Sequence, residues 1–185
     1  MKKILFASVA SAAFLAATPA IAQDAQDTTA VSGPRVEALV GYDRVKIDGE
    51  HDGGVLFGIG AGYDFAVGNS VSLGADVEAT ESTQKEGDAD VAQVKAGRDL
   101  YAGGRVTFAV SPKANLYLKG GYTNARFKAT DGVDTFAANA DGFRLGAGGQ
   151  YNVGGKAYVG GEYRYSNYEA GLTRHQVALT VGTRF

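Results

Sequence analysis

The residues able to do chemistry are few. His51 and His175 are the only histidines, and the chain has no cysteine. A metal centre needs more than two separated imidazoles, and a catalytic imidazole needs a positioned nucleophile. No serine-nucleophile elbow accompanies them. The acidic run Gly87-Asp88-Ala89-Asp90, with Glu81 and Glu86 before it, has the charge for calcium but not the spacing of a calcium loop, so a solvated loop is expected. The glycine clusters lack the strand-to-helix setting that cradles phosphate. We therefore expect no catalytic residue, no metal and no cofactor.

What remains is charge placed at alternate positions. Glu37, Asp43, Asp64, Asp76, Glu78, Asp99 and Glu162 are seven acids, and Arg105, Lys119, Arg144, Arg164, Arg174 and Arg184 are six bases. Each stands in a run whose other positions are apolar. The chemistry expected of them is ion pairing with one another across an enclosed interior.

The elements that must position these charges are strands. The last eleven residues, HQVALTVGTRF, set Val177, Leu179, Val181 and Thr183 against Gln176, Ala178, Thr180, Gly182 and Arg184, and end on Phe185. Seven more segments alternate in the same way, at about 34–44, 54–66, 70–81, 98–110, 114–127, 141–152 and 156–168. Period-2 alternation selects strand over helix. Three connections are tight and carry Gly or Pro, at 67–70, 111–113 and 153–156. Four are longer, at about 45–53, 82–97, 128–140 and 169–172. Short turns on one side and longer loops on the other predict an all-β fold, an eight-stranded antiparallel up-and-down transmembrane β-barrel. An up-and-down soluble barrel shares that layout, with the apolar row turned inward. The charged row, together with the export signal and the terminal strand, argues for the apolar row facing lipid.

An eight-stranded barrel is only wide enough for side chains to fill it, so the charged row is expected to plug the lumen. Tyr42, Tyr63, Phe65, Phe108, Tyr122, Tyr151, Tyr163, Tyr165 and Phe185 fall near strand ends, as boundary girdles require. The terminal strand is expected to close on the first, around Val36–Tyr42.

The chain begins with Lys2 and Lys3, an apolar run from Ile4 to Ala17, and Ala20-Ile21-Ala22 before Gln23. This is the pattern of a cleavable signal peptide over 1–22 with cleavage at Ala20, Ala22 and Gln23. A flexible lead-in is expected over 23–33 and the barrel over 34–185. Loss of Lys2 and Lys3 takes the formal net charge from −2 to −4, which argues against nucleic acid as a partner. No apolar run after the signal approaches 18 residues, so no spanning helix is expected.

The signal peptide, the alternating segments, the glycine-rich stretches GIGAGYDF, AGGRVTF, LKGGYTNARF and GAGGQYNV, and the terminal HQVALTVGTRF resemble the outer-membrane β-barrel domain family of OmpA/OmpX-type and opacity-like porin-family proteins. The resemblance spans the whole mature chain and is specific for fold and place rather than task. It implies the cell outer membrane, with membrane lipid around the barrel. It also implies that Val177, Leu179, Val181 and Phe185 form the signal read by the outer-membrane assembly machinery. OmpA-type proteins usually carry a periplasmic peptidoglycan-binding domain after the barrel, a role not expected here because the chain stops at Phe185. Some barrels of this size modify lipid A using a His–Ser pair, but Gln176 and Val177 follow His175 and no serine stands two positions away. The expected function is a non-enzymatic structural or surface-interaction barrel, a monomer presenting its outer loops to extracellular or host-surface ligands. The alternatives are a narrow porin-like channel for ions or small solutes and, less favoured, a lipid-modifying enzyme.

Overall fold

The computed structural model describes residues 29–47, 50–83, 85–86, 93–130, 135–169 and 172–185. Eight long antiparallel strands form the wall: β1 (Gly33–Ile47), β2 (Glu50–Ala66), β3 (Val71–Ser82), β5 (Gln93–Ala109), β6 (Ala114–Thr130), β7 (Thr135–Gly154), β8 (Ala157–Tyr168) and β9 (Thr173–Arg184). Between β3 and β5 the two-residue strand β4 (Lys85–Glu86) pairs with Lys95 and Val94 of β5. Each long strand pairs with its chain neighbours, β3 pairs with β5, and β9 closes on β1. Closure matters because lipid offers no hydrogen bonds to a free strand edge.

The stagger of the wall follows from its register. Stepping across paired residues from Arg35 leads through Gly62, Asp76, Gly103, Gly121, Arg144, Ser166 and Arg174, and returns to β1 at Val45. One circuit therefore climbs ten residues (45 − 35). With about 3.3 Å per residue and about 4.8 Å between strands, eight strands and a stagger of ten tilt the strands by about 40° from the barrel axis. The outward apolar row of β2, from Phe65 to Val55, then spans about 25 Å along the axis, the height of a membrane-facing band.

Burial is inverted relative to a soluble protein. Among the described residues, those buried comprise 23 polar or charged side chains against ten of hydrophobic type. The exposed set includes Val36, Val40, Ile59, Val77, Leu118, Leu145, Val177, Leu179 and Val181. This decides against a soluble barrel with its apolar row inward.

The tight turns are held locally. Gly155, between β7 and β8, has φ +56°, a left-handed conformation that favours glycine. Ser111 Oγ accepts from the backbone N–H of Lys113 and Ala114 at 3.3 and 3.0 Å. The end of the N-terminal lead-in is tied to the barrel. The Ala30 N–H donates to Asn69 O at 2.7 Å, Ser72 Oγ donates to Val31 O, and Ala30 is buried.

The long-loop side differs from the sequence expectation. Much of 45–53, 82–97 and 128–140, expected as loop, is strand: β1 runs to Ile47, β2 starts at Glu50, β5 at Gln93 and β7 at Thr135. Beyond the lipid both strand faces are wet, so the alternation that marks a strand fades while backbone pairing continues. The expected signal peptide, with Ala20, Ala22 and Gln23, and the acidic run 87–90 lie outside the described residues.

Candidate functional site

The lumen is where the sequence's charges meet. Glu37, Asp43, Asp64, Asp76, Glu78, Asp99, Arg105, Lys119, Arg144, Glu162, Arg164 and Arg174 are all buried inside it, and Arg184 is half-buried at its short-turn end. The sequence reasoning missed one member. Arg35 is buried in the lumen, and a signal was available: it shares the parity of Glu37 but stands just ahead of the first outward residue counted, Val36. With Arg35 the interior holds seven acids and seven bases among the described residues.

These fourteen charges fall into two sets, and among the described residues no ion pair joins them. The set at the short-turn end has three acids and three bases. Asp64 accepts from Arg35 Nε at 3.1 Å and Arg184 Nη2 at 3.0 Å. Asp76 is shared by Arg35 and by Arg105, whose Nε donates at 2.8 Å. Glu37 lies 3.5 Å from Arg105 and accepts the Tyr158 hydroxyl at 2.9 Å.

The set toward the loop end has four acids and four bases. Glu162 is paired with Arg164 and with Lys119, whose Nζ is 2.6 Å away, and accepts the Tyr117 hydroxyl at 2.6 Å. Glu78 bridges Lys119, Arg164 and Arg144. Asp99 is paired with Arg144 and accepts from Arg174 Nη1 at 2.9 Å, Thr123 Oγ1 at 2.6 Å and the Tyr168 hydroxyl at 2.9 Å. Arg174 also grips Asp43, donating from Nε at 2.7 Å. Each set is thus neutral by itself, which offsets the cost of taking its charges out of bulk water.

Tyrosines fill the space between them. The Arg105 guanidinium sits 4.1 Å from the Tyr117 ring centre, so Tyr117 stacks on one set and hydrogen-bonds to the other. Tyr101 lies beneath Lys119 and Arg144, at 5.2 and 5.4 Å. Inward glycines make room for these rings. A Cβ on Gly148 would come within 2.6 Å of the Tyr117 ring, and one on Gly182 within 2.5 Å of Tyr158.

The outer wall carries two aromatic levels. Phe65, Phe108, Tyr151 and Phe185 are exposed at the short-turn ends of their strands. Tyr42, Tyr122, Phe143 and Tyr165 lie toward the other end, each followed on its outward row by a polar residue: Arg44, Asn124, Asp141 and Asn167. His175 joins this upper level on the lipid-facing side. Its Nδ1 is 2.7 Å from the Tyr163 hydroxyl and its ring centre 5.2 Å from that of Tyr165. His51 falls in β2, its backbone paired with that of Lys46. His51 is on β2 and His175 on β9, with β1 between them.

At the terminal strand, Val177, Leu179, Val181 and Phe185 face outward and exposed. The ladder to β1 runs from Lys46↔Thr173 to Arg35↔Arg184, and the Phe185 N–H adds a bond to Pro34 O at 2.9 Å.

A comparison with curated protein sequences finds no match. Solved structures do match. The attachment invasion locus protein Ail of Yersinia pestis is 18% identical with a TM-score of 0.62, covering 84% of this chain and 100% of its own. Neisserial surface protein A is 16% identical with a TM-score of 0.65, covering 83% and 98%. The N-terminal β-barrel domain of Pseudomonas aeruginosa OprF is 14% identical with a TM-score of 0.53, covering 84% and 100%. At such identities the likeness is one of fold. The family model for the outer membrane protein beta-barrel domain matches residues 10–185. With that match added to a closed eight-stranded wall, apolar outside and charged within, the chain belongs to the outer membrane protein beta-barrel domain family and resides in the outer membrane.

Proposed function

We propose that this barrel acts through what it displays at its outer rim, as a monomeric surface-interaction protein with a closed lumen and no catalytic role. The observation that carries the reading is the seal. Thirteen of the fourteen interior charges have side chains at most 1% accessible, and Arg184, the exception, is at the short-turn mouth with 12%. A conducting path needs hydrated groups, whereas each of these stands within 4.0 Å of an opposite charge. The outer side, by contrast, carries strands that continue beyond the aromatic level. Ail, a barrel of the same fold, has been crystallised in complex with the heparin analogue sucrose octasulfate, so a barrel of this size is able to bind a ligand.

Planar-bilayer recording of the purified protein tests the seal. We expect no stable single-channel steps, and sustained channels of uniform size would favour the narrow-pore alternative. Cells that express the protein should adhere to host surfaces or matrix better than cells that do not, and equal adhesion would remove the surface role.

A further inference from the structure

The lipid-facing wall is uneven. Among the described residues of the membrane band, four glycines stand on the outward row, Gly104, Gly120, Gly149 and Gly161, all on β5 to β8. Glycine inside a strand gives up packing, and one use of it is to let a ligand approach closely. Two of the four face each other. Gly149 pairs with Gly161, and the same rung continues to Leu116 on one side and to Leu179 on the other. A Cβ on Gly161 would meet nothing within 4 Å. The missing side chains leave a trough of about 740 Å³ between the two leucines, with Tyr151, Val159 and Val181 across its foot.

The register sets the height of this trough in the membrane. Its foot is at the lower aromatic level, to which Tyr151 belongs. From Tyr151 to Val40, its lining rises by two residues along β7 and three strands across, about 14 Å at the tilt derived above. Half the hydrocarbon of a bilayer is about 15 Å thick. The trough therefore stays within the leaflet on the short-turn side, the periplasmic one in barrels of this class.

The headgroups of that leaflet meet a basic rim. Lys113 and Lys156 are exposed in the two turns that flank the foot of the trough. The Asn152 N–H donates to Lys113 O at 2.7 Å, and Asn152 pairs with Tyr158, two residues from Lys156. Two strand spacings, about 10 Å, thus separate the lysines. The Lys156 Nζ stands 5.8 Å from the ring centre of Phe185, which is itself exposed on the outer wall, so this charge is on the lipid side. Among the described residues no acidic side chain is exposed at this rim.

We propose that the trough floored by Gly149 and Gly161 binds an anionic phospholipid of the periplasmic leaflet, with an acyl chain along the glycines and the headgroup phosphate between Lys113 and Lys156. This goes beyond the outer-rim reading above and stands without it. A second copy is a poor occupant. Another upright barrel brings the same basic rim to the same level, and its convex wall cannot fill a concave trough.

The test is native mass spectrometry of the full protein in detergent, with equal amounts of phosphatidylglycerol and phosphatidylcholine. One basic side chain near an anionic headgroup favours binding roughly fivefold, so wild type should retain phosphatidylglycerol over phosphatidylcholine by about fivefold or more. Lys113→Gln combined with Lys156→Gln should bring the two lipids to equal retention. Gly161→Leu fills the trough and should lower retention of both lipids. Ala75→Leu, a lipid-facing change on β3 across the barrel, is the control and should lower neither. Heat-modifiable gel mobility reports the folding of each variant, and if Gly161→Leu does not fold, the lysine pair decides alone. Equal retention of the two lipids by wild type, unchanged selectivity in the lysine pair, lipid retention by folded Gly161→Leu equal to that of Ala75→Leu, or protein dimers in place of lipid-bound monomers would each overturn the proposal.

Discussion

Asp99 shows what a single residue contributes when it is buried among opposite charges. Its carboxylate takes Arg144, Arg174, Thr123 and Tyr168 at once. An ion pair buried this way is weak evidence of net stabilisation, but breaking it by removing one partner is expensive, because the remaining charge has no water to turn to. Asp99→Ala should therefore lower the stability of the folded barrel by about 3–5 kcal/mol, read as a lower urea midpoint in detergent micelles or liposomes. Arg35 makes the same point for the other set. Arg35→Met would leave Asp64 with Arg184 alone and Asp76 with Arg105 alone, just as Asp99→Ala leaves Arg144 with Glu78 and Arg174 with Asp43, so the two losses should be of similar size. Parity placed thirteen of the fourteen charges inside. Which acid meets which base was not legible, since neighbours across the lumen are set by stagger rather than by spacing along the chain.

Among the elements, the inward glycines and the closing strand differ in what they control. Gly148 stands opposite Tyr117, and its role is space. Gly148→Val would place a branched side chain where the Tyr117 ring and the Gly161 carbonyl already sit at 2.6 Å, and overpacking of this kind costs about 1–3 kcal/mol. Tyr117→Ala in that background should recover part of the loss by clearing the ring, a coupling readable in a double-mutant cycle. Phe185 is exposed and outward, and its backbone adds one bond to Pro34 beyond the last paired rung. Its deletion should leave refolding in detergent nearly unchanged but reduce the amount reaching the outer membrane, measured by fractionation. Normal outer-membrane levels would show that Phe185 is not part of an assembly signal. The alternation that identified the strands stops at the upper aromatic level, which is why the strand extensions of β1, β2, β5, β6 and β7 read as loops in the sequence.

For the whole molecule, closure of the wall and burial of its charges have measurable consequences. All wall strands must part together, so the folded barrel should resist detergent until heated, and boiled and unboiled samples should migrate differently on a gel. Salt offers a second check. Screening acts on solvent-exposed charge and little on buried pairs. Raising salt from about 0.05 to about 1 M should therefore shift the urea midpoint only slightly. A large shift would mean that ions reach the lumen.

The amino-acid sequence by itself determined that this is a membrane barrel with an apolar skin and a charged interior. That information is local: period-2 alternation assigns each residue to one of two faces, and the turn residues count the strands. Only the tertiary structure decided the stagger of ten, the sorting of fourteen charges into two neutral sets, and how far β6 and β7 pair beyond the last β7–β8 rung. Each depends on how one strand slides against the next. Sliding by two residues keeps every side chain on its own face, so the pattern of polarity along the chain is blind to it, while every partner across the lumen and every level at the rim changes.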